Sequence, residues 1–238
     1  MTNYDLIEFW HEAGTPSGRA RLKARHFCKR ALWRSTVRSA FLLKRAIDIV
    51  ASTVALLLLA PIFAATALAI KAEDRGAIFF RQQRVGLRGR LFGMWKFRSM
   101  VVNADQLKDQ LARQNEMQGG VTFKMKNDPR VTRVGRFIRK YSIDELPQFW
   151  NVFCGEMSLV GPRPPVIREV ALYSPEDRQR LLVVPGLTCF WQVGGRSSID
   201  FAGQVRLDVA YIQSSSVWLD IKLLIQTVPA VLLGKGAF

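Results

Sequence analysis

The stretch Lys140-Tyr-Ser-Ile-Asp-Glu-Leu-Pro-Gln-Phe-Trp-Asn151 holds two adjacent carboxylates, Asp144 and Glu145, just ahead of Pro147. Proline is comfortable in the first turn of a helix, where its missing N–H has no intrahelical partner anyway. With Asp144 as N-cap, Pro147 takes the third helical position. With Ser142 as N-cap, Ser142 and Glu145 make a capping box but Pro147 deletes a ladder bond, so the first register is the better one. A carboxylate there can serve as a plain cap. It also lies among free N–H groups at the positive end of a helix dipole, which favours its ionised form and welcomes a phosphate. An ionised aspartate can attack phosphorus to give a covalent intermediate. Its neighbour, about 100° further around a helix, can hold Mg2+ against the same phosphate. Mg2+ is expected because an anion attacking an anion needs its charge neutralised.

Two further segments could grip phosphate. In Ser158-Leu-Val-Gly-Pro-Arg-Pro164, prolines on either side of Arg163 fix the backbone and pre-aim a guanidinium whose planar fork suits a diphosphate. Gly194-Gly195-Arg196 is a second, more flexible basic loop. The strip Arg81-Gln-Gln-Arg-Val-Gly-Leu-Arg-Gly-Arg90, followed by Lys96-Phe-Arg98, packs six cations around two glycines. Arg84, Lys96 and Arg98 are its candidate phosphate contacts; a basic hairpin resting on acidic lipid reads the same way. His11 and His26 lack any partner spacing for catalysis or metal binding, and no Walker loop, GxSxG elbow or zinc motif is present.

The elements that must position these groups come from a chain of 238 residues, 49% hydrophobic, with 35 Lys+Arg against 19 Asp+Glu and a net charge of +16. That excludes a wholly disordered chain and calls for an anionic partner: nucleic acid, acidic lipid or a phosphorylated substrate. Cys28, Cys154 and Cys189, widely spaced, predict neither disulfides nor zinc but three small buried hydrophobes in a reduced compartment. Asp5, Glu8 and Glu12 make a cleavable secretory signal a poor fit.

Ten Lys/Arg and no acidic residue lie between Arg19 and Arg45, interleaved with Leu22, Phe27, Leu32, Trp33, Val37 and Phe41. This pattern suits a surface-lying amphipathic helix, and equally a nucleic-acid arm or a basic tail. From Ile49 to Ile70 no residue is charged, about the ~20 residues that cross a bilayer's hydrocarbon. Pro61 interrupts the run, deleting an N–H and crowding the Leu57 carbonyl, so a kink is predicted there. The first arm, Ile49 to Ala60, is only ~18 Å long at helical rise. Both flanks are basic, with Arg38, Lys44 and Arg45 before and Lys71, Arg75, Arg81 and Arg84 after. Kink and flanks together favour a segment that enters and leaves by one side over a straight crossing.

Beyond Arg75, short strands are predicted at Ala77 to Phe80 and Leu91 to Phe97 around a turn at Val85 to Arg90. Helices are predicted at Asn103 to Met117, ended by Gly119-Gly120, at Val131 to Lys140, near Ala202–Gln213 and at Val217–Leu233. The last carries Trp218, Ile221, Leu224, Ile225 and Val228 along one side, suited to a membrane interface or a core.

Taken together, from about Lys44 to Phe238, the chain resembles the bacterial sugar transferases, monotopic phosphoglycosyl transferases acting on polyprenyl phosphate. The matching stretches are Lys44-Arg-Ala-Ile-Asp48, Gln83-Arg-Val-Gly86, Lys96-Phe-Arg-Ser-Met100, Asp144-Glu-Leu-Pro-Gln148 and Gly155-Glu-Met-Ser-Leu-Val-Gly-Pro-Arg-Pro164. Pro185-Gly-Leu-Thr188, Trp191-Gln-Val193, Leu207-Asp208, Tyr211, Trp218-Leu-Asp220 and Gly236-Ala-Phe238 complete the set. The resemblance implies Asp144 as nucleophile, Glu145 as Mg2+ ligand and Arg163 as a cation binding the nucleotide sugar. Ala60-Pro61 stands where the family usually has Ser-Pro, Cys189 where Gly is usual, and Gly194 where Ser or Asn is common.

The expected architecture is a helix-dominated, mixed α+β, monotopic membrane protein. It comprises a basic arm (1–43), one Pro-kinked re-entrant hydrophobic helix (44–75) and a compact cytosolic catalytic domain with interfacial helices (76–238). The expected partners are a UDP-sugar, polyprenyl (undecaprenyl) phosphate and anionic membrane lipid, with no nucleic acid; a homodimer is left open. The expected place is the cytoplasmic face of a bacterial inner membrane, at the first membrane step of exopolysaccharide, capsule or O-antigen synthesis. Rival readings are a non-enzymatic basic module binding membrane surface or nucleic acid, and a Mg2+-dependent hydrolase of nucleotide sugars.

Overall fold

Local chemistry accounts for most helix boundaries in the computed structural model, which describes residues 14–104, 106–107, 128–194 and 199–232. The chain divides into two compact units, Met1–Lys44 and Arg45–Phe238. Helix α1 spans Pro16–Leu58. It starts where Thr15 Oγ1 accepts the Gly18 N–H (3.0 Å) with Pro16 in the first turn, the order that N-terminal capping prefers. In the first unit Phe27, Leu32, Trp33 and Phe41 are all exposed.

In the second unit the uncharged run is broken at Leu59 and resumes as α2, Ala60–Asp74, with Pro61 in its first turn. The Leu59 N–H still reaches Ala55 and the Phe63 N–H reaches Leu59, both at 2.9 Å. Pro61 has no N–H to offer Leu57, and the two axes differ by 57°. Among the described residues no single helix is long and apolar enough to cross a membrane, whereas the bent pair together has the length and composition.

Strands β1 (Phe79–Val85) and β2 (Leu91–Phe97) pair antiparallel, Phe79 opposite Phe97 and Val85 opposite Leu91. The first strand therefore starts two residues later than the sequence predicts and runs on through Arg81 and Arg84, carrying half the basic strip into the sheet. The connection Leu87–Gly89 needs left-handed backbone at Arg88 and Gly89, φ 54° and 81°. Helix α3 (Arg133–Lys140) is capped twice. Thr132 accepts from the Gly135 N–H, and Glu73 at the end of α2 accepts from the N–H groups of Arg133 (2.7 Å) and Val134 (3.1 Å).

A single 3-10 turn, Ile143–Glu145, then leads into α4, Gln148–Cys154. Strand β3 (Ser158–Val160), α5 (Ile167–Ala171) and the 3-10 segment Asp177–Leu182 follow, and β4 (Gly186–Thr188) pairs parallel to β3. Gly161 and Gly186 meet backbone to backbone: a Cβ on Gly186 would lie 2.0 Å from the Gly161 nitrogen. The chain closes with α6 (Phe190–Gly194), α7 (Phe201–Ser214) and α8 (Val217–Leu232). Leu223 of α8 is buried, whereas Trp218, Ile221, Ile225 and Val228 face outward.

Two apolar clusters hold the second unit. Phe92, Met94, Val152, Met157, Leu159, Val160, Tyr211 and Leu223 form the larger. Ile70, Phe97 and Ile138 form the smaller, with Phe63, Val134 and Ile143 packed against it. The second cluster matters for the site, because Ile143, in the turn bearing Asp144, packs against the same cluster that holds Ile70 of α2. α1 is tied in as well: Arg45 donates to the carbonyls of Val152 and Phe153 at the end of α4, each at 2.6 Å, and buried Asp48 accepts from the Leu159 N–H (3.0 Å).

The architecture is helix-dominated, as expected, with the expected hairpin and a second, parallel two-stranded sheet that was not. Two expectations need correction. Cys28 and Cys154 are exposed and only Cys189 is buried, since the first two sit on outward faces of helices with no core behind them. Asp144 is not the N-cap of a regular helix: it occupies the middle of the 3-10 turn, and Pro147 precedes α4 as its cap residue. Nearly all of the helix expected at Asn103–Met117, with Gly119-Gly120, Arg196 and Gly236-Ala-Phe238, lies outside the described residues.

Candidate active site

Asp144 and Glu145 share the 3-10 turn, entered through Ser142 at φ 55°. Three residues per turn separate neighbouring side chains by about 120°, so the carboxylates diverge from a common backbone point. Asp144 is 8% exposed and makes no hydrogen bond among the described residues. Burial pushes its pKa up to about 6; Lys96 opposes that shift, adjacent Glu145 adds to it, and Arg139 and Arg163 pull against it. Desolvation outweighs the local cations, so Asp144 ionises at higher pH than a free aspartate and less readily than a place among free helix N–H groups implies.

Glu145 goes the other way. Burial alone would raise its pKa, but Lys96 and Arg163, with Arg84 behind them, outweigh it and hold the group near about 2. Lys96 Nζ lies 2.8 Å from Glu145 Oε1, and Arg163 Nη1 lies 3.9 Å from the same oxygen. Two neighbouring carboxyls with pKa values pushed apart are the arrangement from which distinct chemical roles arise.

The other expected residues divide. Lys96 and Arg163 join the dyad directly. Arg84 is buried and serves the Arg163 loop: its Nη1 donates to the Pro164 carbonyl (2.9 Å), while Nε and Nη2 donate to Gln82 Oε1. The Val85 N–H donates to the Pro165 carbonyl (2.9 Å), tying the same loop to β1. Burial, with Arg163 nearby, depresses the Arg84 pKa to about 10, so it remains a cation at neutral pH. Arg98 is held elsewhere, paired with Asp74 at the end of α2 and donating to the Ala77 carbonyl. Arg81 lies over the Trp95 ring, 5.3 Å from its centroid. Pro61 forms the bend between α1 and α2, and Arg196 is outside the described residues.

Sequence reasoning missed three residues. Asn151, fully buried on α4, accepts from the Trp95 N–H and donates to the Gly93 carbonyl, both at 2.9 Å, standing in for a strand neighbour along the free edge of β2. It also donates to Glu156 (2.6 Å). Arg139, in the last turn of α3, adds its field at Asp144. Arg180 forms a buried ion pair with Asp208 (2.6 Å) while donating to the Tyr173 hydroxyl. Asn151 sits three residues past Gln148 in a motif already singled out, so its position was visible although its partner strand was not.

Mg2+ fits this donor set. It is usually held by one or two carboxylates plus substrate phosphates and rarely by an all-protein cage. The described residues contain no cluster of three or more His, Cys, Asp or Glu, but they present ionised Glu145, whose Oε2 carries no hydrogen bond among them, next to Asp144.

The family described as bacterial sugar transferase matches residues 39–234. Galactosyl transferase CpsE of Streptococcus agalactiae is 51% identical over 166 residues, 69% of this chain and 37% of that protein. The undecaprenyl-phosphate galactose phosphotransferase of Salmonella typhimurium is 42% identical over 204 residues, 84% of this chain and 43% of that protein. Exopolysaccharide production protein ExoY of Rhizobium meliloti is 40% identical over 198 residues, 82% of this chain and 88% of that protein. The chain thus spans less than half the length of the first two relatives and most of the third.

Proposed function

The chain belongs to the bacterial sugar transferase family, and from that premise we propose that it moves a sugar 1-phosphate from a UDP-sugar to polyprenyl phosphate. The acceptor is undecaprenyl phosphate, UMP is released, and the reaction opens exopolysaccharide, capsule or O-antigen synthesis. The observation that carries this reading is the buried Asp144 beside Glu145, under Lys96 and Arg163.

Asp144, once deprotonated, attacks the β-phosphorus of the UDP-sugar. An Asp144–phosphorus bond forms, the bond from that phosphorus to the bridging oxygen breaks, and UMP leaves with the electron pair. An oxygen of polyprenyl phosphate then attacks the same phosphorus, Asp144 leaves as carboxylate, and the diphospho-sugar lipid departs. Arg163, held by flanking prolines and by Arg84 beneath them, binds the diphosphate through its planar fork. Lys96 keeps Glu145 ionised and brings a cation to the phosphate-binding face. Glu145 would hold Mg2+, which when bound neutralises phosphate charge.

The bent α1–α2 pair serves this chemistry as a re-entrant anchor on the cytoplasmic face of the inner membrane. The anchor and the Asp144 turn share one apolar cluster through Phe63, Ile70 and Ile143, so a greasy acceptor and the nucleophile are brought to one boundary.

The test is purified protein with UDP-sugar, Mg2+ and undecaprenyl phosphate, read as UMP release. Turnover that needs lipid phosphate and disappears in Asp144→Asn is the expected result. Free sugar phosphate without lipid would favour the hydrolase instead, and wild-type UMP release by Asp144→Asn would remove the nucleophile.

A further inference from the structure

We propose that the cationic arm ahead of the family match is a docking surface for anionic lipid headgroups; it rests on the membrane-anchored reading above. The match starts at residue 39. Between Arg19 and Arg38 the chain places eight Lys/Arg and no Asp or Glu. Arg30, Arg34 and Arg38 follow one another at four-residue steps on α1, all exposed. Like charges at that spacing are neighbours on one helix face and weaken the helix they stand on. A surface of negative charge reverses the sign of that interaction, so the arm's own arrangement calls for an anionic counterpart.

Lipid fits better than nucleic acid because of what lies between the cations. Phe27 (73% exposed), Leu32 (69%) and Trp33 (69%) have no core to enter. Aromatic and aliphatic side chains interleaved with Lys/Arg match the boundary between headgroups and acyl chains. A phosphodiester backbone supplies the charge but nothing in which to bury Phe27, which stands three residues before Arg30 and seven before Arg34 on the same helix face. Covalent continuity adds to this, since the same chain runs into the uncharged segment beginning at Ile49. Once that segment is in the bilayer, the arm is confined to the headgroup layer, where cationic residues next to an anchor add electrostatic binding to hydrophobic insertion.

Cys28 offers a native reporter, being exposed on the arm, while Cys189 is buried and the other exposed thiol, Cys154, can be removed. Full-length Cys154→Ser protein carrying an environment-sensitive fluorophore on Cys28 is placed in vesicles of phosphatidylcholine, alone or mixed with phosphatidylglycerol. The expected result is blue-shifted, quencher-protected emission only with phosphatidylglycerol. It should reverse in about 1 M salt, where the Debye length falls to about 3 Å. It should also disappear when Arg30→Gln, Arg34→Gln and Arg38→Gln are combined. Identical emission in both vesicles, indifference to salt, or displacement of the arm from the vesicles by an added oligonucleotide would overturn the proposal. UMP release in neutral detergent, expected to be unchanged in the triple variant, reports separately on the transferase reading.

Discussion

Lys96 Nζ and Glu145 Oε1 lie 2.8 Å apart although 49 residues separate them in the chain. One residue comes from the end of β2, the other from the 3-10 turn ahead of α4. Their contact gives the dyad its asymmetry: Glu145 is stabilised as an anion, and the added negative charge helps keep Asp144 protonated into the mildly acidic range. A nucleophile with a raised pKa is also more basic, and hence more reactive once the proton has gone.

The activity should therefore fall on the acid side as Asp144 gains its proton. UMP release per unit substrate is expected to halve near pH 6. Lys96 lowers the pKa of both carboxyls, so Lys96→Met should move that limb to higher pH and cut turnover by ~10²-fold. A pH profile of both proteins from pH 5 to 8 checks this; an unmoved limb would separate Lys96 from the dyad.

Stability responds in the opposite sense to activity. The folded pKa of Asp144 lies above its unfolded value, so folding is favoured below the unfolded pKa and that contribution is lost as pH rises through about 6. Glu145, held low, stabilises the fold above its unfolded pKa and loses that contribution only as pH falls toward about 2. Asp144→Asn should accordingly be inactive yet more stable at pH 7, on the order of 1–3 kcal/mol. Thermal unfolding of the two proteins at pH 7 and pH 5 measures it, with the difference narrowing at the lower pH.

Asn151 couples α4 to β2, and with them the elements that carry the dyad and Lys96. Asn151→Leu keeps the branched shape but leaves the Trp95 N–H, the Gly93 carbonyl and Glu156 without their partner. A loss of roughly 3–5 kcal/mol is expected in denaturant unfolding. Turnover of the remaining folded protein should fall more than its KM for UDP-sugar rises, because the misplaced pair is Lys96 and Glu145.

Gly186→Ala tests the loop that aims Arg163. The new methyl would lie 2.0 Å from the Gly161 nitrogen, and backbone cannot yield there as a side-chain tip can. The β3–β4 pairing must open, destabilising the protein by roughly 1–3 kcal/mol and raising KM for UDP-sugar. Gly194→Ala, with open space around it, should leave stability unchanged.

The proposed re-entrant anchor is checked by tags at residues 1 and 238. A bent segment that re-enters puts both on the cytoplasmic side; a periplasmic N-terminus would make the segment a plain crossing. Pro61→Ala, which restores the missing N–H, should shift part of the population toward the latter.

Much of this was legible from short-range pattern. The uncharged run, the bend at Pro61, the α3 and α7 helices, the second strand and the Asp144–Glu145 pair follow from residue type and spacing within one or two turns of chain. The first strand starts and ends later than its local pattern predicts, because charged and polar Arg81 to Arg84 read as turn and pairing with β2 overrides that signal. The basic strip read as one feature, yet its cations part company: Arg81 goes to Trp95, Arg84 to the Pro164 carbonyl, Lys96 to Glu145 and Arg98 to Asp74.

By itself, then, the amino-acid order determined which groups are available for phosphorus chemistry and where the chain bends, since both depend on covalent neighbours. Tertiary structure alone decided which of two adjacent carboxyls has its pKa raised and which lowered, and which arginines hold the backbone. The reason is physical. A pKa records how much water has been removed and which charges stand a few ångströms away, and here Lys96 comes from a strand 48 residues distant from Asp144.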